Sequence, residues 1–307
     1  MSIAAPPNSR PITDAPAHHV ARPRFFIDAR HGLGNRLRAI ASAAAIAART
    51  GHELVIVWEP DVHCQARFGD LFRHDGAVIG TAFARLFALT GGRLYNYMEV
   101  EPGAQRDAPI LACAGPGAGP QDVYVRSAYP LVSAHRDWPA ERAFLHALVP
   151  VDAVRARMRA VPVPAQVSAH VRMASGPGYE HLPHESPAGW SAQGHAEIAA
   201  WRARSHARHF MARLDTLVAA GAAETIFLAA DLPETYAAFR DRYGARLRFL
   251  PRTRFDRSAD QLRDALADML LLGRAERFLG STWSSFSDMA IRLAPQRPVV
   301  EMSGRDF

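Results

Sequence analysis

The segment Arg24–Trp58, RFFIDARHGLGNRLRAIASAAAIAARTGHELVIVW, contains the clearest pattern of alternating strands and helices in the chain. The apolar run at Arg24–Asp28 predicts a short buried strand, and ELVIVW at Glu53–Trp58 predicts a second one. Between them, Arg36–Thr50 carries the Ala-rich apolar face of a helix, which Gly51 ends as a glycine just past the last turn does. Strand, turn, helix and strand in so short a segment indicate a parallel βαβ unit and an α/β fold.

The same alternation resumes after VPVPAQ (Val161–Gln166), a proline-punctuated connector that predicts a domain boundary. The predicted strands and helices beyond it are Val167–Val171, Gly194–Ala220, Thr225–Ala230, Pro233–Tyr243, Leu247–Leu250, Ala259–Arg274, Arg277–Leu279, Ser284–Leu293 and Pro298–Glu301. Before it, Asp122–Ala128 reads as a strand, and Trp138–Met158 as a helix interrupted at Pro150. We therefore expect a loose tail at 1–21 and two doubly wound domains, 22–160 and 161–307, facing a cleft with ligands at the carboxyl ends of strands.

Composition bounds the chemistry. The 307 residues suit two domains, and the hydrophobic fraction of 49% with a charged fraction of 21% is typical of soluble globular proteins. All 36 basic residues are arginine, which excludes a lysine-dependent Walker loop and a Schiff-base lysine. The net charge of +6 is spread along the chain with acids between the arginines, so we expect no nucleic-acid partner.

The cysteines and the N-terminus bear on the compartment. Two cysteines, Cys64 and Cys113, make neither a disulfide framework nor a cysteine-ligated zinc site. The N-terminus lacks the apolar core of a secretory signal, and no apolar stretch is long enough to span a membrane. We expect a cytoplasmic protein.

The turn HGLGN (His31–Asn35) leaves three interpretations open. A dinucleotide fingerprint would need a third glycine at position 37, which is Leu37, although Glu59 ends the second strand where a ribose-binding acid would lie. A tight βα turn that merely needs small residues is the second interpretation. The third is a sugar- or phosphate-facing loop, in which Asn35 and Arg36 add polar donors at a helix start.

Arg172 ends the predicted strand in SAHVR. A planar guanidinium at the carboxyl end of a strand suits a diphosphate, to which it donates two parallel hydrogen bonds, but a salt bridge to a neighbouring loop is the alternative. The long loop that follows contains Glu180, His181, His184 and Glu185. Pro183 prevents these histidines from sharing a helix face, so the loop is not a zincin-type metal site.

The segment GSTWSSFS (Gly280–Ser287) follows a predicted strand and opens a helix. Its hydroxyls and the free N–H groups of a helix start favour contact with a phosphate, whereas plain N-capping needs only one hydroxyl. Two carboxylates stand out nearby. Asp268 interrupts the apolar run ALADMLLLG, and Asp231 follows the strand FLAA, so either could cap a helix or bind a hydroxyl or a base edge.

Four segments together resemble a known family: HGLGNRLRAIASAAAIAARTG, SAHVR, FLAADLPETYAAF and QLRDALADMLLLGRAERFLGSTWSSFS. Their order is similar to that in the GDP-fucose-dependent fucosyltransferases, above all the bacterial nodulation-type α-1,6-fucosyltransferases and their animal core-fucosylating relatives. The resemblance covers residues 24–295. It implies a GT-B fold, in which two Rossmann-like domains face a cleft and the second holds the nucleotide sugar, and an inverting reaction that needs no metal.

The resemblance also implies roles for individual residues. The family's phosphate-binding arginine matches Arg172, and its catalytic glutamate, eight residues later, matches Glu180. The residue that meets guanine through its backbone matches His170, and the guanine-binding aspartate matches Asp268. The phosphate-contacting serine falls on Ser284 or Ser285, which a one-residue offset leaves open. Met173, Ala174 and Ser175 stand where the family often has charged residues, so the loop differs.

The sequence thus predicts transfer of fucose, or a close sugar, from a GDP-sugar to a glycan or other hydroxyl acceptor, with no cofactor and no metal. Glu185 and Asp28 compete with Glu180 as the base. The candidate donor-binding residues are His170, Arg172, Asp231, Asp268, Thr282, Ser284 and Ser285, and those on the acceptor side are Gly32, Gly34, Asn35 and Arg36. Two other functions remain open, namely an NAD(P)- or FAD-dependent oxidoreductase that uses the HGLGN turn, and a catalytically silent nucleotide- or glycan-binding protein.

Overall fold

The computed structural model describes residues 22–87, 92–99, 101–111, 121–162, 165–174 and 191–307. The strands in these ranges are β1 (Arg24–Ala29), β2 (Glu53–Val57), β3 (Phe72–Arg73), β4 (Ala77–Ile79), β5 (Arg93–Asn96), β6 (Val123–Ser127), β7 (Val149–Pro150), β8 (Val167–Val171), β9 (Ile226–Ala230), β10 (Leu247–Arg248), β11 (Arg277–Gly280) and β12 (Val299–Met302). The helices are α1 (Leu33–Thr50), α2 (Ala82–Phe87), α3 (Trp138–Ala147), α4 (Asp152–Arg159), α5 (Ala192–Arg204), α6 (Ala207–Ala219), α7 (Pro233–Tyr243), α8 (Ala259–Leu272) and α9 (Ser285–Arg292).

The first sheet has the order β4-β2-β1-β6-β5, and all its strands are parallel. Its central strand β1 is buried from Phe25 onward, as the apolar run predicted. Helix α1 follows directly and ends at Gly51, which has a φ of 72°. The helix begins three residues earlier than predicted, because Gly32 is its N-cap and Leu33 to Asn35 form its first turn.

The second sheet has the order β10-β9-β8-β11-β12 and is also entirely parallel. The chain therefore starts at the central strand β8, moves outward through β9 to β10, and returns to the other side of β8 with β11. This order places a topological switch point between β8 and β11, where doubly wound sheets bind ligands at the carboxyl ends of their strands. The prediction of an α/β fold with parallel sheets is confirmed.

Two predicted helices are interrupted by long-range contacts. The helix predicted over Gly194–Ala220 is in fact two, α5 and α6, because Ser205 between them is buried and its Oγ lies 2.8 Å from Ser303 Oγ. The helix predicted over Trp138–Met158 stops at Ala147, since β7 pairs antiparallel with β3 before α4 begins. The short elements β4, α2 and β5 were not predicted, because each is too short to show a period.

One apolar cluster joins the two sheets. Val154 and Met158 of α4 belong to the same buried cluster as Leu262 and Leu266 of α8, and α4 packs on α8 while α1 packs on α9. An ion pair of 2.6 Å between Arg157 and Asp264 adds to the contact of α4 with α8. The expected boundary near residue 160 stays a prediction, and residues 1–21 lie outside the described ranges.

Two findings bear on the expectations about membranes and cysteines. Among the described residues, no helix is both long and apolar enough to cross a membrane. Cys64 is a buried free thiol, and burial raises its pKa to about 11, which makes it inert at neutral pH. Cys113 lies outside the described residues.

Candidate active site

Ser281 joins the carboxyl ends of β8 and β11 by hydrogen bonds. This fully buried residue follows β11, and its Oγ donates to the carbonyl oxygen of His170 (2.8 Å) and accepts from the backbone N–H of Arg172 (2.9 Å). The hydroxyl fixes the end of one strand against the other at the switch point. The sequence predicts that the hydroxyls of GSTWSSFS contact a phosphate, but the first of them, Ser281, is used to join the two strands.

Arg172 forms an ion pair with Asp231, the residue that follows β9. The Asp231 carboxylate also accepts from the backbone N–H groups of Met173 (3.0 Å) and Ala174 (2.8 Å). Burial alone would raise the pKa of Asp231, but the Arg172 guanidinium and the two N–H groups hold it below its usual range. The salt-bridge alternative for Arg172 is therefore present, and it connects two of the predicted donor-binding residues. Asp231 fixes the orientation of the guanidinium at the carboxyl ends of β8 and β9.

His170 connects β8 to helix α9. Its Nδ1 lies 2.7 Å from Ser287 Oγ, and its ring stacks on Phe286 with 4.6 Å between ring centroids. Ser287 Oγ also accepts from the backbone N–H of Ser281 (3.1 Å). Burial lowers the pKa of His170 to about 3, and the nearby Arg172 adds to this effect, so the ring is neutral at pH 7.

The first turn of α9 lies beside this network. Ser284 is the N-cap and its Oγ accepts from the N–H of Ser287 (3.4 Å), whereas the Oγ of Ser285 makes no hydrogen bond to any described residue. Thr282 donates to the carbonyl oxygen of Ser303, so its hydroxyl is used to fix the turn. Of the two serines that the sequence left open, Ser284 has the capping role. The N–H groups at the start of α9 and the Ser285 hydroxyl are suited to an anion.

Asp268 is almost completely buried, with 1% of its surface exposed, and forms an ion pair with Arg252. Its second carboxylate oxygen, Oδ1, is buried and has no hydrogen-bond partner among the described residues. Burial raises the pKa of Asp268 to about 6 even though Arg252 opposes the shift. The guanidinium of Arg252 lies over the Tyr236 ring, 5.1 Å from its centroid. A buried carboxylate with an unused acceptor beside an aromatic ring can receive the N–H groups of a planar base.

The HGLGN turn meets the start of α9. A Cβ built on Gly34 would lie 2.7 Å from the carbonyl carbon and oxygen of Ser285, so only glycine permits this approach of α1 to α9. The side chain of Asn35, next along the helix, is half-buried and makes no hydrogen bond to a described residue. Two segments that the sequence singled out separately are therefore in contact.

Arg36 is fully buried and holds the turn together. Its guanidinium donates to the carbonyl oxygens of His31 (2.7 Å) and Glu59 (2.8 Å) and to Asp61 Oδ2 (2.7 Å), and it lies over the Trp58 ring. Each of the three guanidinium nitrogens therefore has a partner within the protein, and the fully buried side chain is not exposed to an acceptor as the sequence predicts. The contribution of Arg36 to the site is therefore through the shape of the turn.

His31 and Glu59 also have local partners. His31 has a φ of 62°, which is uncommon outside glycine, and burial together with the neighbouring His63 lowers its pKa to about 4. The Glu59 carboxylate accepts from the backbone N–H of Thr81 (3.1 Å) instead of standing free for a ribose. With Leu37 fully buried where the fingerprint needs glycine, nothing in this turn favours a dinucleotide.

The contact at Gly34 gives a stability prediction. Gly34→Ser is expected to lower the free energy of unfolding by about 1–3 kcal/mol, because the atoms that its Cβ meets are backbone and cannot rotate away. GDP affinity should fall with it, since α9 is displaced. Gly32→Ser is the matched control, because no atom lies within 4 Å of a Cβ at the N-cap, where serine is a preferred residue. Urea denaturation of both variants tests this, and equal destabilisation would contradict it.

The candidate bases lie partly outside the described residues. Glu180 and Glu185 fall in the undescribed segment 175–190, as do His181 and His184. Asp28, at the end of β1, is described: it is buried, and its Oδ2 accepts from Arg126 (2.6 Å) and from the Tyr124 hydroxyl (3.1 Å). No cluster of three or more His, Cys, Asp or Glu side chains suited to a metal occurs among the described residues.

Comparison with known proteins finds matches among solved structures. No protein-family model matches the sequence, and no curated protein sequence is detectably similar. Among solved structures, the NodZ α-1,6-fucosyltransferase soaked with GDP-fucose matches with a TM-score of 0.55 and 20% identity over 89% of this chain and 94% of that one. Fucosyltransferase NodZ from Bradyrhizobium matches with a TM-score of 0.55 and 18% identity over 90% of this chain and 95% of that one. NodZ co-crystallised with GDP gives a TM-score of 0.53 and 18% identity over 90% and 94% of the two chains.

The chain has the fold of NodZ. At 18–20% identity, the similarity establishes the fold alone. The roles of individual site residues are argued from their contacts in this chain. NodZ itself has been solved co-crystallised with GDP and soaked with GDP-fucose.

Proposed function

We propose that this protein is an inverting, metal-independent glycosyltransferase of GT-B fold that transfers fucose, or a close sugar, from a GDP-sugar to a glycan or other hydroxyl acceptor. The observation that carries the proposal is Arg172 at the carboxyl end of β8, where Asp231 orients its guanidinium and its backbone N–H donates to Ser281 in the segment that leads into α9. The structural likeness to NodZ supports the choice of donor. In this proposal residues 22–160 form the acceptor-side domain and 161–307 the donor domain.

The chemistry requires stabilisation of a leaving diphosphate. As the acceptor hydroxyl attacks the anomeric carbon, negative charge grows on the β-phosphate. Arg172 and the N–H groups at Ser284 and Ser285 would stabilise that charge, each contributing about 3–4 kcal/mol in comparable sites. Preorganised donors of this strength take the place of a metal ion. Glu180 is the proposed acceptor of the proton from the attacking hydroxyl.

Recognition of the base is assigned to Asp268. Guanine presents N1–H and its exocyclic amine side by side, and a carboxylate with an unused oxygen accepts hydrogen bonds from such a pair. The Oδ1 of Asp268 is such an oxygen, while Arg252 keeps the other one paired. Adenine lacks both donors at these positions, so the arrangement favours GDP over ADP.

This assignment predicts both selectivity and a pH dependence. Asp268→Asn is expected to weaken GDP binding about 10- to 100-fold, with little effect on ADP, since the amide puts a donor where guanine also donates. Because the pKa of Asp268 is about 6, protonation should weaken GDP binding to the wild type about tenfold between pH 7 and pH 5.

Calorimetric titration at each pH measures both effects. The terminal phosphate of GDP titrates in the same range, so its contribution is taken from the Asp268→Asn variant, which shares it. Equal losses for GDP and ADP would show that Asp268 only supports helix α8. An identical pH slope in wild type and variant would contradict the role of its carboxylate.

The absence of a metal from the proposed mechanism is directly testable. Activity is expected to survive excess EDTA, because Arg172 and the start of α9 already provide positive potential at the diphosphate. Loss of activity with EDTA and its recovery with Mn²⁺ or Mg²⁺ would overturn this mechanism. It would also direct attention to His181, His184 and Glu185 as ligands.

The donor class is tested by thermal-shift screening of the full chain against GDP, UDP, ADP and CMP and their sugars. Stabilisation by GDP and GDP-fucose alone is the expected result. Release of GDP from GDP-fucose, with and without a mixture of oligosaccharide acceptors, then separates an enzyme from a silent binding protein. Stabilisation by NAD(P) or FAD instead would favour the oxidoreductase alternative.

A further inference from the structure

Trp283 is held in an unusual position next to the proposed diphosphate site. It lies between Thr282 and the N-cap Ser284, has a φ of 58°, and exposes 58% of its surface. A left-handed backbone is a genuine outlier for a bulky residue, and such strain persists where the surroundings fix it and often marks functional sites. More than half of this side chain is exposed, so burial in the core does not explain the strain.

The ring of Trp283 is backed by a stack of side chains. The indole of Trp201 lies parallel to it, with 5.8 Å between centroids and 9° between planes. The guanidinium of Arg204 covers the Trp201 ring at 4.8 Å. Arg204 in turn packs on Gly304, where a Cβ would lie 2.7 Å from the Arg204 Cβ. The two tryptophans are called here the indole platform, and contacts with Arg204 hold its Trp201 ring in place.

Hydrogen bonds fix the backbone on both sides of the indole platform. Thr282 donates its hydroxyl to the carbonyl oxygen of Ser303. Ser205 directly follows helix α5, which carries Trp201, and its Oγ lies 2.8 Å from Ser303 Oγ. Both serines are fully buried. The platform is thus preorganised, which reduces the entropy lost when a ligand binds to it.

Trp138 provides a contrast. It is as exposed as Trp283, at 57%, but the guanidinium groups of Arg136 and Arg292 lie over its ring at 4.1 Å and 5.0 Å. Among the described residues, Trp201 is the one aromatic residue whose ring stacks on Trp283, and no guanidinium of these residues lies over the Trp283 ring. Of these two exposed indoles, Trp283 is the one with a ring surface available to a ligand.

We propose that the indole platform binds the apolar face of a pyranose ring of the acceptor, which makes the acceptor a glycan and not a protein hydroxyl or a simple alcohol. This inference rests on the proposed function. The attacking hydroxyl must come within about 3–3.5 Å of the anomeric carbon, so the rest of the acceptor lies close to the diphosphate and the start of α9. A pyranose with equatorial hydroxyls presents axial C–H groups on a flat face, and an indole supplies a large, rigid surface for it.

The test measures binding of neutral oligosaccharides to the full chain loaded with GDP. The probes are cellotetraose, N-acetylchitotetraose and maltotetraose, and a Ser/Thr-containing peptide serves as the comparison. Binding of each probe is measured by saturation-transfer NMR and by calorimetry. At least one oligosaccharide is expected to bind, and Trp283→Ala should weaken it about tenfold or more, as loss of a stacking aromatic does elsewhere. Trp283→Phe should retain most of the affinity, and the GDP dissociation constant should not change in either variant.

Two further variants control for folding. Trp283→Gly removes the ring and also relieves the left-handed backbone, so it should lose the oligosaccharide without loss of thermal stability. Trp138→Ala removes an equally exposed indole and should bind the oligosaccharide as the wild type does. Equal losses in Trp138→Ala and Trp283→Ala would overturn the proposal.

Three other results would also overturn it: binding of the peptide but of none of the oligosaccharides to the wild type, undiminished oligosaccharide affinity in Trp283→Ala and Trp283→Gly, or loss of GDP affinity in these variants. The last result would assign the ring to the donor. Failure of the proposed function gives a different pattern, in which GDP does not bind to the wild type. Oligosaccharide binding that still depends on Trp283 under those conditions would support the platform alone.

Discussion

Arg172→Lys is expected to lower turnover about 10²- to 10³-fold while the fold is preserved. The guanidinium pairs with Asp231 and also donates to the carbonyl oxygen of Ala174. A lysine ammonium can keep the half-buried Asp231 paired, which protects stability, but it lacks the planar fork that holds a carboxylate and a diphosphate at the same time. The free energy of unfolding should therefore change by less than about 1 kcal/mol.

The matched control is Arg213→Lys. Its guanidinium makes a two-point contact with Glu301, at 2.6 Å and 2.9 Å, in a helix–strand contact outside the proposed site. Turnover and GDP affinity of both variants are compared with those of the wild type. A similar loss in both would indicate a general effect of arginine replacement, and normal turnover in Arg172→Lys would remove the phosphate role.

Glu180→Gln is expected to lower kcat about 10²- to 10⁴-fold with GDP-sugar affinity nearly unchanged, which is the usual consequence of losing a general base. The assignment comes from the resemblance and its spacing from Arg172, and it stays a prediction because Glu180 lies outside the described residues. An inverting transfer needs this base on the face opposite the leaving GDP. A carboxylate there could be desolvated when the acceptor binds, which would raise its pKa toward the working range.

The structure distinguishes the competitor Asp28 from a base. Its Oδ2 already accepts from Arg126 and Tyr124, and its Oδ1 lies 3.6 Å from the Arg30 guanidinium. Asp28→Asn is therefore expected to lower the melting temperature, because it breaks a buried ion pair, and to leave kcat of the folded enzyme largely unchanged. The measurement is kcat, melting temperature and GDP affinity for Glu180→Gln, Glu185→Gln and Asp28→Asn. Normal turnover in Glu180→Gln with an inactive but folded Glu185→Gln would reassign the base.

Local patterns in the sequence were sufficient for most elements of the described fold. Strand β8 has the bounds predicted from its apolar run, and α7 has those predicted from the proline in its first turn. These features depend on neighbouring residues alone, namely hydrophobic period, proline at a helix start and glycine at a helix end. The break between α5 and α6 was missed because it depends on Ser303, which is distant in the chain.

The candidate site also combines features that depend on neighbouring residues with features that depend on residues distant in the chain. Local signals in the sequence predicted which residue types follow the strands, because strand ends and helix starts depend on neighbouring residues: Arg172 follows β8, Asp231 follows β9 and a run of hydroxyls follows β11. Which of these residues contact one another is set by the packing of distant elements. This packing pairs Arg172 with Asp231 and Asp268 with Arg252, and it places Gly34 against Ser285. The physical reason is that these contacts join different strands and helices, so sheet order and helix packing set them, and neither is encoded in the spacing of residues along one element.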